Sequence, residues 1–96
     1  MKLLDKYQEL GIIKAGELLL IPQDAVNLVE EIAQKDILIL GVDLWYYLGD
    51  QIVEDPSSLD LSNISDTKIS VEVAKKFIMT QLPKNIVYVS LILDDE

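Results

Sequence analysis

The 96-residue chain contains no cysteine, no histidine and no arginine; all eight of its basic residues are lysines. Without cysteine there is neither a disulfide framework nor a thiolate nucleophile, and without cysteine and histidine the usual zinc ligand sets are closed off. Lacking histidine, the chain has no side chain that ordinarily titrates near neutral pH, and lacking arginine it has no bidentate clamp for phosphate. Glycine is scarce, and the four glycines, at 11, 16, 41 and 49, are not clustered as a phosphate-cradling loop requires. Long apolar runs are missing too. Even Ile37 to Val42 stops far short of the roughly 20 residues of a membrane-spanning helix. Asp5 and Glu9 interrupt the apolar residues near the N-terminus, unlike a secretory leader, so a cytoplasmic location is expected.

Half of the residues are apolar, enough to offset the entropy of ordering, and a chain of this size supports one modest core. A single domain over residues 1–96 is therefore expected. Seventeen acids against eight lysines give a net charge of −9, and they are unevenly spread. Residues 1–35 carry six acids and four lysines, and residues 68–96 carry four of each. Between them Asp36, Asp43, Asp50, Glu54, Asp55, Asp60 and Asp66 occur without one lysine. A phosphate backbone would be repelled by this middle third, which excludes nucleic acid as the expected partner.

Leu3, Leu4, Tyr7 and Leu10 recur at helical spacing, with Gly11 where a left-handed cap is expected. Glu17 to Ile21 reads either as a short buried strand or as an irregular lead-in. Pro22 and Asp24 suit a helix start, and Ala25, Val26, Leu28, Val29, Ile32 and Ala33 form one apolar face, predicting a helix from about Gln23 to Gln34. Residues 37–48 read as a strand that turns at Gly49-Asp50 and returns through Gln51 to Glu54. A bend or bulge is expected at Gly41, because twelve extended residues would span roughly 40 Å. Asp55 to Ser65 reads as a surface loop; Ser70 caps a helix that Pro83 stops; Asn85 to Leu93 is a closing strand before the acidic end Asp94-Asp95-Glu96. The whole is an α+β domain, an antiparallel sheet of three or four strands with helices on one face. If Glu17 to Ile21 is a strand, the succession from there on is βαββαβ, as in ferredoxin-like domains.

Strand alternation puts Leu38, Leu40, Val42, Leu44, Tyr46 and Leu48 on one face and Ile37, Ile39, Gly41, Asp43, Trp45 and Tyr47 on the other. The purer apolar set should meet the helices, as should Val87, Val89, Leu91 and Leu93 of the last strand. That leaves Asp43, Trp45, Tyr47 and Tyr88 outward, with Asp50, Glu54 and Asp55 near them. Such rings equally serve to fill a core or cover its edge, and Asp43 equally serves to accept backbone hydrogen bonds at a bend. The alternative is a binding surface, in which rings give rigid contact area and carboxylates select a basic partner. The remaining carboxylates, lysines, serines and tyrosines show no spacing that selects a catalytic pair, so neither an enzyme nor a cofactor is expected. Asp60, Ser62 and Asp66 suggest a calcium loop, but Ser65 and Val71 stand where its glycine and final glutamate belong. No metal site is expected from that pattern.

From Pro22 onward the chain resembles the immunity protein 40 family of bacterial polymorphic toxin systems. The resemblance lies in Asp24-Ala25-Val26-Asn27-Leu28-Val29, in Ile37 to Asp43 running into aromatics, in Ser70 to Ile78 with Ala74 and Phe77, and in the closing apolar strand. The chain departs from the family pattern at Val42, where the family carries a second glycine. The resemblance implies a small bacterial protein that binds and neutralises a cognate toxin domain, with no catalytic residues of its own. Combined with the charge, it points to a basic toxin such as a nuclease, with Asp43, Trp45, Tyr47, Asp50, Glu54 and Asp55 as toxin-binding residues. The other reading is a small regulatory or oligomerising module that pairs with a copy of itself or encloses a small ligand. A monomer or weak homodimer is expected.

Overall fold

The computed structural model describes residues 3–94, so Asp95 and Glu96 of the acidic end lie outside it. A short helix α1 (Leu3–Tyr7) tightens into a 3-10 turn (Gln8–Leu10) and leads to a hairpin of β1 (Ile12–Lys14) and β2 (Glu17–Leu19). Then follow α2 (Pro22–Lys35), β3 (Ile39–Leu48), β4 (Gln51–Asp60), α3 (Thr67–Thr80) and β5 (Tyr88–Leu93). The fold is α+β, with the antiparallel sheet in the order β4-β3-β5.

The β1–β2 hairpin extends this sheet through one bridge, Leu20 to Val89. Two backbone hydrogen bonds of 2.9 and 2.8 Å make it. Because β5 is antiparallel to both β2 and β3, those two strands run parallel with β5 between them. The succession from β2 onward is thus βαββαβ, with a split crossover at each helix. The spatial order differs from the ferredoxin-like one: the second and fourth strands of that succession are central here, instead of its first and third.

Helix α2 starts at Pro22 after extended Ile21 and buries Ala25, Leu28, Val29 and Ile32 on one stripe. It ends in left-handed Asp36 (φ 56°), a conformation aspartate tolerates because its side chain can bond locally. Here that side chain accepts from Thr67 Oγ1 at the start of α3. Asp66, not Ser70, caps α3, accepting from the Ile69 amide at 3.1 Å. Ser70 is fully buried and serves instead as a peg, accepting from the Ile39 amide at 3.2 Å and donating to the Thr67 carbonyl at 2.9 Å. Tyr7 and Lys6 tie α1 to α2 through the two oxygens of Glu31, at 2.7 and 2.8 Å.

The core lies between the helices and one sheet face, with Leu18, Leu20, Ile39, Val42, Leu44, Val89 and Leu91 meeting Leu28, Val29, Ile32, Ala74 and Ile78. Val42, Leu44 and Tyr46 point inward as the alternation requires. Ile39, however, replaces Leu40 in the core, because the register to β5 shifts between Ile39 and Gly41. The expected irregularity at Gly41 is present, and it inverts the faces before that residue, not after it. A second shift faces β4: Val42 pairs with Leu59 and Leu44 with Asp55. Residues 56–58 therefore bulge opposite Asp43.

Three expectations are corrected. Asp55 to Asp60 continues β4 instead of forming a loop; Pro56 is tolerated because an edge strand does not need every amide. Gly11 is extended (φ −133°), not left-handed. A Cβ there would sit 2.2 Å from the Leu19 carbonyl oxygen, so a bare backbone is needed for close approach. Leu48 is 63% exposed and does not meet the helices.

Candidate functional site

The sheet face turned away from the helices carries Glu17 and Leu19 of β2, Tyr88 and Ser90 of β5, Asp43, Trp45 and Tyr47 of β3, and Ile52 and Glu54 of β4. The register aligns them: Asp43 lies opposite Ser90, and Trp45 lies between Tyr88 and Glu54. Tyr47 lies opposite Ile52, past the last β3–β5 pair, with its ring edge-on to Tyr88 at 6.3 Å and 63°.

Trp45 lies on the expected face but is only 3% exposed. Its Nε1–H donates to Ser90 Oγ at 3.0 Å, and the Ser90 hydroxyl, itself buried, donates to Glu17 Oε1 at 2.7 Å. This chain links β3, β5 and β2, and satisfies two polar groups that would be costly to bury unpaired. The expectation of Trp45 as an accessible docking ring is thereby corrected: the indole is a structural member of the sheet. Strand alternation could identify its face, but its burial depends on neighbours from two other strands.

Glu17, Asp43 and Glu54 bring carboxylate oxygens within 4.8 Å of one another. No lysine offsets them: among the described residues the ion pairs are Lys6 with Glu31 and Lys75 with Glu30. Asp43 is half-buried, and its carboxyl is pushed up to about 7. Burial is the largest cause, followed by the hydrogen bond with Glu17, then the negative charges of Glu17 and Glu54. These three are the described acids close enough to bracket a hard cation, yet no buried, unpartnered side-chain polar atom is found among the described residues. They stand as an acidic cluster across three strands. Glu17 was missed as a site residue; its only signal was Glu17-Leu18-Leu19 read as a strand, which puts Glu17 and Leu19 on one face.

The other acids separate. Asp50 is exposed at the β3–β4 turn, where Gly49 has the positive φ (63°) required at the first central position of a two-residue hairpin turn. Glu54 is exposed on the Trp45 face, whereas Asp55 pairs with Leu44 on the opposite face, where its Oδ1 accepts from the Ser57 amide at 2.8 Å. The hairpin end thus presents Tyr47 (51% exposed) and Leu48 together with Asp50 and Glu54. Asp60 and Asp66, two members of the rejected calcium pattern, are engaged locally: Asp60 accepts from the Ser62 amide at 2.9 Å and Asp66 caps α3.

On the other side, a groove of about 270 Å³ runs between α2 and α3 over Val29, Ile32 and Val71, with the Glu30–Lys75 ion pair among its lining residues. It does not reach the acidic face. No helix among the described residues is long and apolar enough to cross a membrane. Comparisons with protein-family models, curated proteins and solved structures give no match, so the resemblance to the immunity protein 40 family rests on its short motifs alone.

Proposed function

We propose that the chain is an immunity protein that neutralises a basic toxin domain, such as a nuclease, by laying the acidic end of its β3–β4 hairpin into the toxin's cationic cleft. The observation that carries this reading is the exposed pair Tyr47 and Leu48 beside Asp50 and Glu54, in a stretch without lysine from Asp36 to Thr67. Apolar and aromatic contact supplies holding power, while the carboxylates accelerate encounter and reject acidic surfaces. Tyr47 and Leu48 take the anchoring role that the buried Trp45 cannot fill. The protein acts by occlusion and performs no reaction of its own.

The test is to read the gene immediately upstream for a secreted toxin and to co-express the C-terminal domain of that toxin with this chain. Rescue of growth, and its loss on Y47A/L48A with the fold intact, would support the reading. Failure of rescue by a folded, expressed chain would overturn it. With the purified pair, D50N/E54Q should slow association about tenfold at low salt and flatten its salt dependence. The alternative of self-pairing through the aromatic strand is confined to Tyr46 to Leu48: β3 is paired with both β4 and β5 at Gly41, Val42, Leu44 and Trp45.

A further inference from the structure

We propose that Glu17, Asp43 and Glu54 form a proton-operated latch: one proton held between Glu17 and Asp43 seats the β1–β2 hairpin against the sheet, and its loss loosens that hairpin and the surroundings of Trp45. Three observations lead there. The three carboxylates come from β2, β3 and β4 and converge within 4.8 Å, so the ionisation of any one is felt across three strands. The hairpin is held by the burial of Leu18, Leu19 and Leu20, but its backbone joins β5 by the single Leu20–Val89 bridge and its side chains by the link from Ser90 to Glu17, fewer backbone bonds to the sheet than β3, β4 or β5 make. The chain from Trp45 through Ser90 ends on Glu17, and its donor order leaves Glu17 Oε1 as an acceptor. The proton between the carboxyl groups is placed on Asp43, a half-buried member whose carboxyl burial pushes up.

The groups facing Asp43 reinforce this. Glu17 approaches from β2 and Glu54 from β4; Asp60, opposite Gly41, adds a further negative charge on β4. From β5 come neutral Ser90 and Tyr88. Lys14 pairs with Glu17 across the hairpin turn but forms no ion pair with it.

The sign follows from linkage. Asp43 keeps its proton to about 7 in the folded chain against 3.8 for the free group. Across that interval the folded state binds more protons than the unfolded one, so the latch's contribution is full below it, declines as pH rises through it, and is gone above it. Repulsion then falls on the hairpin, the member with the fewest backbone bonds to the sheet.

The experiment follows the Trp45 indole N–H resonance and the amide exchange of residues 17–20 from pH 5 to 9. The expected result is a transition of the Trp45 indole resonance centred near 7, with protection of these amides falling about tenfold from pH 5 to about 7, beyond the intrinsic pH dependence of exchange, and levelling off above it. D43N, which keeps a hydrogen-bond donor toward Glu17 but cannot ionise, should abolish the transition and hold the low-pH state throughout; D50N, outside the cluster, should leave it unchanged. A wild-type spectrum flat across this range, or a transition that survives D43N or disappears in D50N, would overturn the proposal. No toxin is needed, so this outcome is independent of the proposed function.

Discussion

Trp45 and Tyr47 lie two residues apart on one strand and one face, yet the first is 3% exposed and the second 51%. The difference lies in what flanks them. At Trp45 the strand is paired on both sides, with Tyr88 and Glu54 beside the ring and Ser90 under its N–H. By Tyr47 the β5 partner has ended and β3–β4 continues as a two-stranded ribbon. Alternation decides the face a side chain takes; the number of neighbouring strands decides whether it meets water. The outer face accordingly has a closed end, which holds carboxylates around a buried hydrogen-bond chain, and an open end, which offers the Tyr47 ring beside the Asp50 turn, with Leu48 exposed on the other side of the same ribbon.

Substitution should separate the two ends. Removing the indole with W45A should cost about 3 to 5 kcal/mol, since a large buried side chain and its hydrogen bond are lost together. Y47A should cost about 1 kcal/mol or less, mainly its edge contact with Tyr88. Urea unfolding measures both, and equal losses would erase the distinction. A smaller effect at the closed end is expected from S90A, about 1 to 3 kcal/mol, because the Trp45 N–H is left buried without an acceptor while Glu17 loses its donor. The smallest is at the hairpin that carries Glu17. Ala15 (φ 52°) and Gly16 (φ 80°) form its turn, and a Cβ in the left-handed region is strained, so A15G should stabilise by about 0.5 to 1 kcal/mol. No change, or a loss, would show that the turn carries no such strain.

Much of the helix-facing half was legible because it repeats a period. The stripe of α2, the alternation of Val42, Leu44 and Tyr46, and the Gly49-Asp50 turn each follow from local pattern. The parts that were not legible depend on something distant. β1 is three residues long, and its turn uses Ala15 where Asn, Asp or Gly is the ordinary signal. The second half of β4 is written in Asp, Pro and Ser, and only Leu59, reaching the core, betrays a strand. Gly11 is required by the carbonyl of Leu19, and Ser70 by the amide of Ile39, 31 residues away. Of the candidate site, its acidity and the positions of Tyr47, Asp50 and Glu54 could be read. The burial of Trp45 and the recruitment of Glu17 could not, since both require β5 to lie between β2 and β3.

The split of this face is tested most directly by quenching the chain's single tryptophan with acrylamide at pH 6. An indole closed into the sheet should be quenched far less than a free one, and unfolding in urea should bring it to the free value. Quenching of the folded chain as efficient as that of the unfolded chain would mean that Trp45 is open to solvent, and the closed end described above would not exist.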